Sequence, residues 1–382
     1  MIKQIPLALY VHIPWCERKC PYCDFNSHEN YDPALEKPYV DALLKDLDQQ
    51  LHWAGDRELV SIFFGGGTPS LFSSDSIQQI LEGIRQRQPL AKNCEITLES
   101  NPGSAEAKKY DAYRRAGINR LSIGVQSFHQ RHLSRLGRIH SGAEAIKAIE
   151  LAQSAGFDRL NIDLMYGLPD QTIEDGLNDI STGIEQGIDH LSWYQLTIER
   201  NTTFWSAPPL LPKDDLVESM QQRAAALLNG AGIAQYEVSA WSVAGRRSTH
   251  NLNYWQFGDY FAIGAGAHGK LTDITGVHRF QRTRHPKNYI DWFAPPVTAP
   301  LSSQLRTIEL SDLPAEFMMN ALRLKEGVNA TLFQERTALA LEVVNPSLEE
   351  QRRGGLMVED INKLTATARG YQYLDTLIEA FV

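Results

Sequence analysis

The sequence predicts an α/β fold: a partial (β/α)6 barrel over residues 1–205, an α+β region over 206–293 and a small winged-helix-like domain over 301–382. Three observations carry this. Short β-branched apolar runs alternate with segments of helical period, the pattern of a parallel sheet joined by crossover helices. The chemically distinctive residues fall at the carboxyl ends of those runs, the rim on which β/α barrels bind ligands. The alternation stops near residue 200, where proline-rich stretches at 207–212 and 294–300 act as rigid connectors around the middle region.

Taken in order, the strand-like runs are 7–13, 61–64, 95–98, 120–125, 159–165 and 190–198. Each is short and apolar enough for a strand covered on both faces. Helical periodicity fills the gaps at 33–53, 76–86, 105–116, 143–155 and 173–186. Ala116-Gly117 and Ala155-Gly156 place a glycine just past a helix and just before the next strand, as a C-cap requires. Beyond the barrel, 213–230 reads as a helix and 236–241 as a strand, and aromatic residues crowd between Trp241 and Phe261. Residues 316–324 and 332–337 read as helices, and 364–370 with the apolar helix after it completes a winged-helix-type module.

A chain of 382 residues, 43% hydrophobic, can bury a large core. Its formal net charge of -9 argues against a basic face large enough to grip a nucleic-acid backbone. No apolar run approaches the length that spans a bilayer, so no integral membrane segment is expected. Residues 1–6 enter the first strand without a leader, which makes the expected location cytoplasmic. Clustered thiols suit that reducing compartment.

Three of the four cysteines, Cys16, Cys20 and Cys23, fall within eight positions after the first strand. A zinc site asks for a fourth Cys or His at comparable spacing. Three thiolates instead leave one iron of a 4Fe-4S cube without a protein ligand and open to a cofactor. A third reading, core packing, fits poorly, because Glu17, Arg18 and Lys19 are too polar for a buried strand. Cys94 stands alone and reads as packing.

On the rest of the rim, Gly65, Gly66 and Gly67 followed by Thr68 let the backbone approach a ligand and present its N–H and C=O groups. Glu99, Gln126 and Asp163, on the third, fourth and fifth strands, supply acceptors for an amino group and for ribose hydroxyls. A carboxylate would need an arginine. Arg138 is the candidate, and composition does not separate it from Arg131 and Arg135.

The Cys-x3-Cys-x2-Cys spacing resembles the radical S-adenosylmethionine (SAM) superfamily. Tyr10-Val-His-Ile-Pro-Trp-Cys16, Gly65-Gly-Gly-Thr-Pro69, Glu99-Ser-Asn-Pro102, Gly124-Val-Gln-Ser-Phe128 and Asp163-Leu-Met-Tyr-Gly-Leu-Pro169 follow in that order. Together they resemble the branch that contains oxygen-independent coproporphyrinogen III oxidase and its heme-chaperone relatives, over residues 7 to about 261. The resemblance implies that Cys16, Cys20 and Cys23 ligate a 4Fe-4S cluster. It also implies that Tyr10, Gly66, Gly67, Thr68, Glu99, Gln126, Arg138 and Asp163 contact SAM, and Tyr22 matches a position that touches a second SAM in the oxidase.

Two departures point away from the oxidase. It carries a further cysteine two residues after the third ligand, where this chain has Phe25, and an extension ahead of the first strand that this chain lacks. His250-Asn-Leu-Asn-Tyr-Trp255 matches the His-Asn-x-x-Tyr-Trp motif of the chaperones. The resemblance thereby implies heme as a ligand, with His250 on its iron and Tyr254, Trp255, Tyr260 and Phe261 offering flat apolar surface. Read without the resemblance, His250 caps or hydrogen-bonds the backbone and the two aromatics are core. His268, in Gly264-Ala-Gly-Ala-His-Gly269, is a second imidazole. Arg279, Arg282 and Arg284 are either a basic patch for propionates or a solvated strand face.

The implied function is heme delivery to membrane-bound respiratory enzymes by a carrier of a 4Fe-4S cluster, SAM and heme. Peripheral membrane association through the partner and a homodimer are both compatible with it. The alternative is an oxygen-independent coproporphyrinogen III oxidase that decarboxylates propionates by radical chemistry, so whether the protein is an enzyme stays open at this point.

Overall fold

The computed structural model describes residues 5–103, 107–294 and 305–382. The connector at 295–300, the expected start of the last domain at 301, residues 1–4 and positions 105–106 of the third expected helix lie outside the described residues.

The six expected strands are consecutive, parallel neighbours: β1 (Leu7–Ile13), β2 (Leu59–Gly66), β3 (Leu90–Ser100), β4 (Arg120–Gln126), β5 (Leu160–Tyr166) and β6 (His190–Gln195). Helices Glu36–Asp48, Ser74–Arg87, Tyr110–Ala116, Gly142–Ser154 and Ile173–Glu185 make the crossovers. Local chemistry starts and stops them. Ser141 with Glu144 and Thr172 with Asp175 form capping boxes. Gly117, at φ +113, takes the left-handed turn that ends its helix.

The strands are covered on both faces, as expected, but the two faces differ chemically. Leu7, Leu9, Val11 and Ile13 of β1, Leu121, Ile123 and Val125 of β4, and Leu160, Ile162 and Leu164 of β5 share one continuous core with buried helix residues such as Leu43, Ile80 and Ile149. Most of the alternate positions are polar, among them Tyr10, His12, Arg120, Ser122, Asn161 and Asp163. Asn161 Nδ2 donates to Ser122 Oγ and Asp163 Oδ1, each at 2.7 Å, and His190 bonds Asn161 at 2.6 Å and the Tyr236 hydroxyl at 2.8 Å. Arg159 meets Glu95 at 3.1 Å. The barrel lumen is therefore a hydrogen-bonded network rather than the apolar layers that fill many closed barrels.

Two expectations need correction. Strand six ends at Gln195 rather than 198, and 236–241 is not one strand. Instead β7 (Ala234–Gln235) and β8 (Ala240–Ser242) pair antiparallel, because the chain reverses between them, with Tyr236 N–H donating to the Ala240 carbonyl at 3.1 Å. The sheet also continues across residue 206. β8 runs antiparallel to β6 on one edge. On the other, β9 (Asp259–Ile263) is parallel to β1 and is followed by antiparallel β10 (His268–Asp273), β11 (Gly276–Gln281) and β12 (Arg306–Thr307), giving one twelve-stranded sheet.

The C-terminal unit has its own core, with Phe317, Met318, Phe333 and Leu348 at its centre. It comprises helices Leu313–Ala321, Thr331–Thr337, Asn345–Arg353, Ala368–Gln372 and Leu374–Glu379 and an antiparallel pair, β13 (Val328–Asn329) with β14 (Lys363–Leu364). Phe257 and Val277 of the preceding region join that core, and Arg279 pairs with Glu316 at 2.6 Å across the junction. Among the described residues, no helix is long and apolar enough to cross a membrane.

Candidate cofactor site at the barrel mouth

The chain leaves β1 at Ile13 as a loop closed on itself: Cys16 N–H donates to the His28 carbonyl at 3.0 Å and His28 N–H to the Pro14 carbonyl at 2.7 Å. The glycine-rich turn after β2 clasps this loop. Gly67 N–H donates to the Ile13 carbonyl at 2.8 Å and Thr68 N–H to the Trp15 carbonyl at 2.7 Å. A Cβ on Gly67 would lie 2.5 Å from the Trp15 oxygen, and one on Gly66, whose φ is +115, would lie 2.6 Å from the His12 ring. Gly66 N–H is also taken, by Glu99 Oε2 at 3.3 Å. The N–H groups of Gly66, Gly67 and Thr68 are thus taken within the protein, and the glycines serve close approach of two loops. Thr68 contributes through its hydroxyl, which donates to Cys16 Sγ at 3.6 Å and accepts from Asn101 at 3.1 Å.

Cys16, Cys20 and Cys23 are unpaired and half-buried, and all three line a cavity of about 130 Å³. Burial pushes the Cys16 thiol up and the Cys23 thiol up to about 11, so a metal is what would draw them to thiolates. Among the described residues, no three His, Cys, Asp or Glu side chains gather within reach of a single ion. The thiols flank a space. Three soft donors arranged in this way fit a cube with one iron left open better than a closed four-ligand zinc site.

The same cavity collects Tyr22, Gly66, Gly67, Thr68, Glu99, Gln126, Arg138 and Asp163. Geometry separates the arginines that composition could not. Arg131 pairs with Asp175, and Arg135 with Asp170 at 3.1 Å in a largely exposed contact. Arg138 instead turns inward, donating to the Gly124 carbonyl at 2.6 Å, to Asn101 Oδ1 at 2.8 Å and to Cys20 Sγ at 3.7 Å. Its Nε is buried with no hydrogen-bond partner among the described residues, a donor suited to a carboxylate.

Opposite it, burial and the neighbouring Asp163 push Glu99 up to about 8. Asp163 is also raised by burial, against hydrogen bonds from Ser192, Asn161 and Ser122. Two buried carboxyls that cannot comfortably ionise together make an acceptor for an ammonium group. Gln126 stands at φ +68 beside an irregularity in the β4–β5 pairing, and its side chain accepts from the Tyr194 hydroxyl at 2.7 Å. Such a conformation costs about 1–3 kcal/mol and concentrates at ligand sites. Tyr22 packs near Phe204, ring centroids 6.4 Å apart. Tyr10 lies in an adjoining cavity that shares Gly66 and Glu99 with the first. Sequence reasoning passed over Asn101 and Tyr194; the signals were Asn101 inside Glu99-Ser-Asn-Pro102 and the alternation of His190, Ser192 and Tyr194 along β6.

His250 does not join this group. It lies on helix Thr249–Trp255, 1% exposed, with Nδ1 2.9 Å from Ser61 Oγ, Nε2 2.9 Å from the Tyr254 hydroxyl, and its ring stacked on Phe63 at 5.0 Å. Its backbone N–H donates to Glu95 Oε1 at 3.1 Å. Burial and Arg120 lower its pKa to about 3. Iron at Nε2 would require the Tyr254 hydroxyl to leave. Of the expected basic patch, Arg279 is committed to Tyr260 and Glu316, and Arg282 is buried against Asp46; Arg284 is exposed.

Residues 10–181 match the radical SAM superfamily and residues 308–373 the HemN C-terminal domain. The chain is 47% identical over 383 residues to the heme chaperone HemW of Escherichia coli, with 100% of both chains covered. It is 46% identical to the heme chaperone HemW of Haemophilus influenzae, covering 100% of this chain and 99% of that one. In structure it is similar to coproporphyrinogen III oxidase (HemN) of Escherichia coli, with a TM-score of 0.83 over 99% of this chain and 90% of that chain; at 21% identity this is a likeness of fold. Full-length identity at this level, with the motifs in place around one cavity, is decisive: the chain belongs to the HemW family of the radical SAM superfamily.

Proposed function

We propose that the protein is a cytoplasmic heme chaperone that binds heme and hands it to membrane-bound respiratory enzymes, while its barrel mouth carries a 4Fe-4S cluster and SAM. The observation that carries this reading is the 47% identity to a heme chaperone along the whole chain. Phe25 supports it, since an apolar ring stands where the oxidase pattern has a further cysteine. Cys16, Cys20 and Cys23 would hold the cluster, Arg138 the SAM carboxylate, and Glu99 with Asp163 its ammonium and ribose groups. When bound, these groups supply one-electron chemistry. The chain's own share is to orient SAM against the thiols and to exclude water with a buried rim. The winged-helix comparison for the C-terminal unit belongs to the same reading, as does membrane association only through a partner.

The alternative, coproporphyrinogen oxidation, would draw on the same cluster and SAM residues. Hemin titration of the cluster-free and cluster-loaded protein tests the proposal. A saturable heme absorption band in both forms is expected; no saturable binding in either would reject it.

A further inference from the structure

We infer that the cavity bounded by β1, β10 and β11 is the heme site and that His268 is the ligand of the heme iron. This rests on the heme-chaperone reading and names the residue that would carry it. The cavity measures about 470 Å³, within the roughly 300–1,000 Å³ of small-molecule sites. It adjoins the cluster cavity, sharing Phe25, Gly66 and Glu99 with it.

Strand register explains how the site is built. His268 pairs with Gln281 and Lys270 with Arg279 across β10 and β11, while Lys270 also pairs with Tyr260 on β9. With a side-chain period of two, His268, Gln281 and Tyr260 therefore share one face. Tyr254 and Phe25 supply further ring surface, and Phe25 is 61% exposed.

Three imidazoles stand on or near this face, and their hydrogen bonds tell them apart. His12 contacts the Tyr10 hydroxyl at 3.0 Å and the Asn26 carbonyl at 2.8 Å. His250 is held on both nitrogens by Ser61 and Tyr254. His268 lines the cavity and is exposed. Partial burial and the nearby Arg279 and Arg284 lower its pKa, which favours the neutral ring that binds iron. Arg284 is on the same cavity, and among the described residues its side chain makes one long 3.4 Å contact, through Nε to Asn26, which leaves its tips for a propionate. Asp24 also lines the cavity.

The test compares wild type, His268→Ala, His250→Ala and Arg284→Gln as full-length proteins, with thermal melts and reconstituted cluster absorbance as folding controls. Hemin and metal-free protoporphyrin are the probes, which separates iron ligation from recognition of the macrocycle. His268→Ala should weaken hemin binding by about tenfold or more and change the heme spectrum, while protoporphyrin affinity stays within about twofold. Arg284→Gln should weaken both porphyrins, and folded His250→Ala should keep the wild-type heme spectrum. Wild-type hemin affinity and spectrum in His268→Ala would overturn the assignment, as would equal loss of both porphyrins. Failure of the wild type to bind hemin would instead reject the chaperone reading beneath it.

Discussion

His250 Nε2 and the Tyr254 hydroxyl stand 2.9 Å apart across one turn of helix Thr249–Trp255, with Ser61 Oγ closing the other side of the ring at 2.9 Å. The i,i+4 spacing places both side chains on the same face. A neutral imidazole has one N–H, so one hydroxyl donates to it and the other accepts. His250→Ala would remove both bonds, strand two hydroxyls and open a void beside Phe63. The expected cost is about 2–4 kcal/mol. Urea unfolding measures it. Unchanged stability with loss of hemin binding would show instead that the ring serves the ligand.

Glu99 gives a pH prediction with a definite sign. Its carboxyl titrates near 8 in the folded chain, against about 4.5 when unfolded. The folded state therefore holds the proton more tightly. The stability this confers is complete below about pH 4.5 and is lost as pH rises through about 8. Glu99→Gln removes that loss, so the variant should gain on wild type between about pH 5 and 8 and level off above that in cofactor-free protein. A constant difference between the two urea midpoints across that range would contradict the assignment.

Arg138 should behave differently from its neighbours in sequence. Arg138→Ala removes donors from Gly124, Asn101 and Cys20 and a buried Nε that has no hydrogen-bond partner among the described residues. SAM affinity of the reconstituted protein should fall by at least about tenfold, in keeping with the roughly 2–5 kcal/mol for truncating a buried, hydrogen-bonded charge. Arg131→Ala and Arg135→Ala should bind SAM as wild type does. Equilibrium dialysis with labelled SAM separates the three.

The barrel strands were legible in the sequence because each is a short apolar run bounded by turn residues, and their register then aligns the motif-bearing ends without further information. β1 matches its expected span residue for residue. What could not be read was set by contacts distant in sequence. That β9 pairs with β1 depends on a partner some 250 positions away. The bonds from Gly67 N–H to Ile13 and from Thr68 N–H to Trp15 make the glycine run a clasp on the cysteine loop as well as part of the cavity wall. Arg138 was indistinguishable from Arg131 and Arg135 until Asn101 and Gly124 held it inward. The polar lumen was in part legible: in Arg120-Leu-Ser-Ile-Gly-Val125 the apolar Leu121, Ile123 and Val125 join the core against the helices, and the intervening Arg120 and Ser122 fall on the inner face.

One measurement bears most directly on the heme-chaperone account. The reconstituted, heme-loaded protein is mixed with membranes containing a heme-free respiratory enzyme, and in parallel the heme-free protein is given coproporphyrinogen, SAM and a reductant. The account predicts that heme leaves the protein and restores the acceptor's heme absorbance, and that no protoporphyrinogen forms. Formation of protoporphyrinogen, with heme retained by the protein, would contradict it.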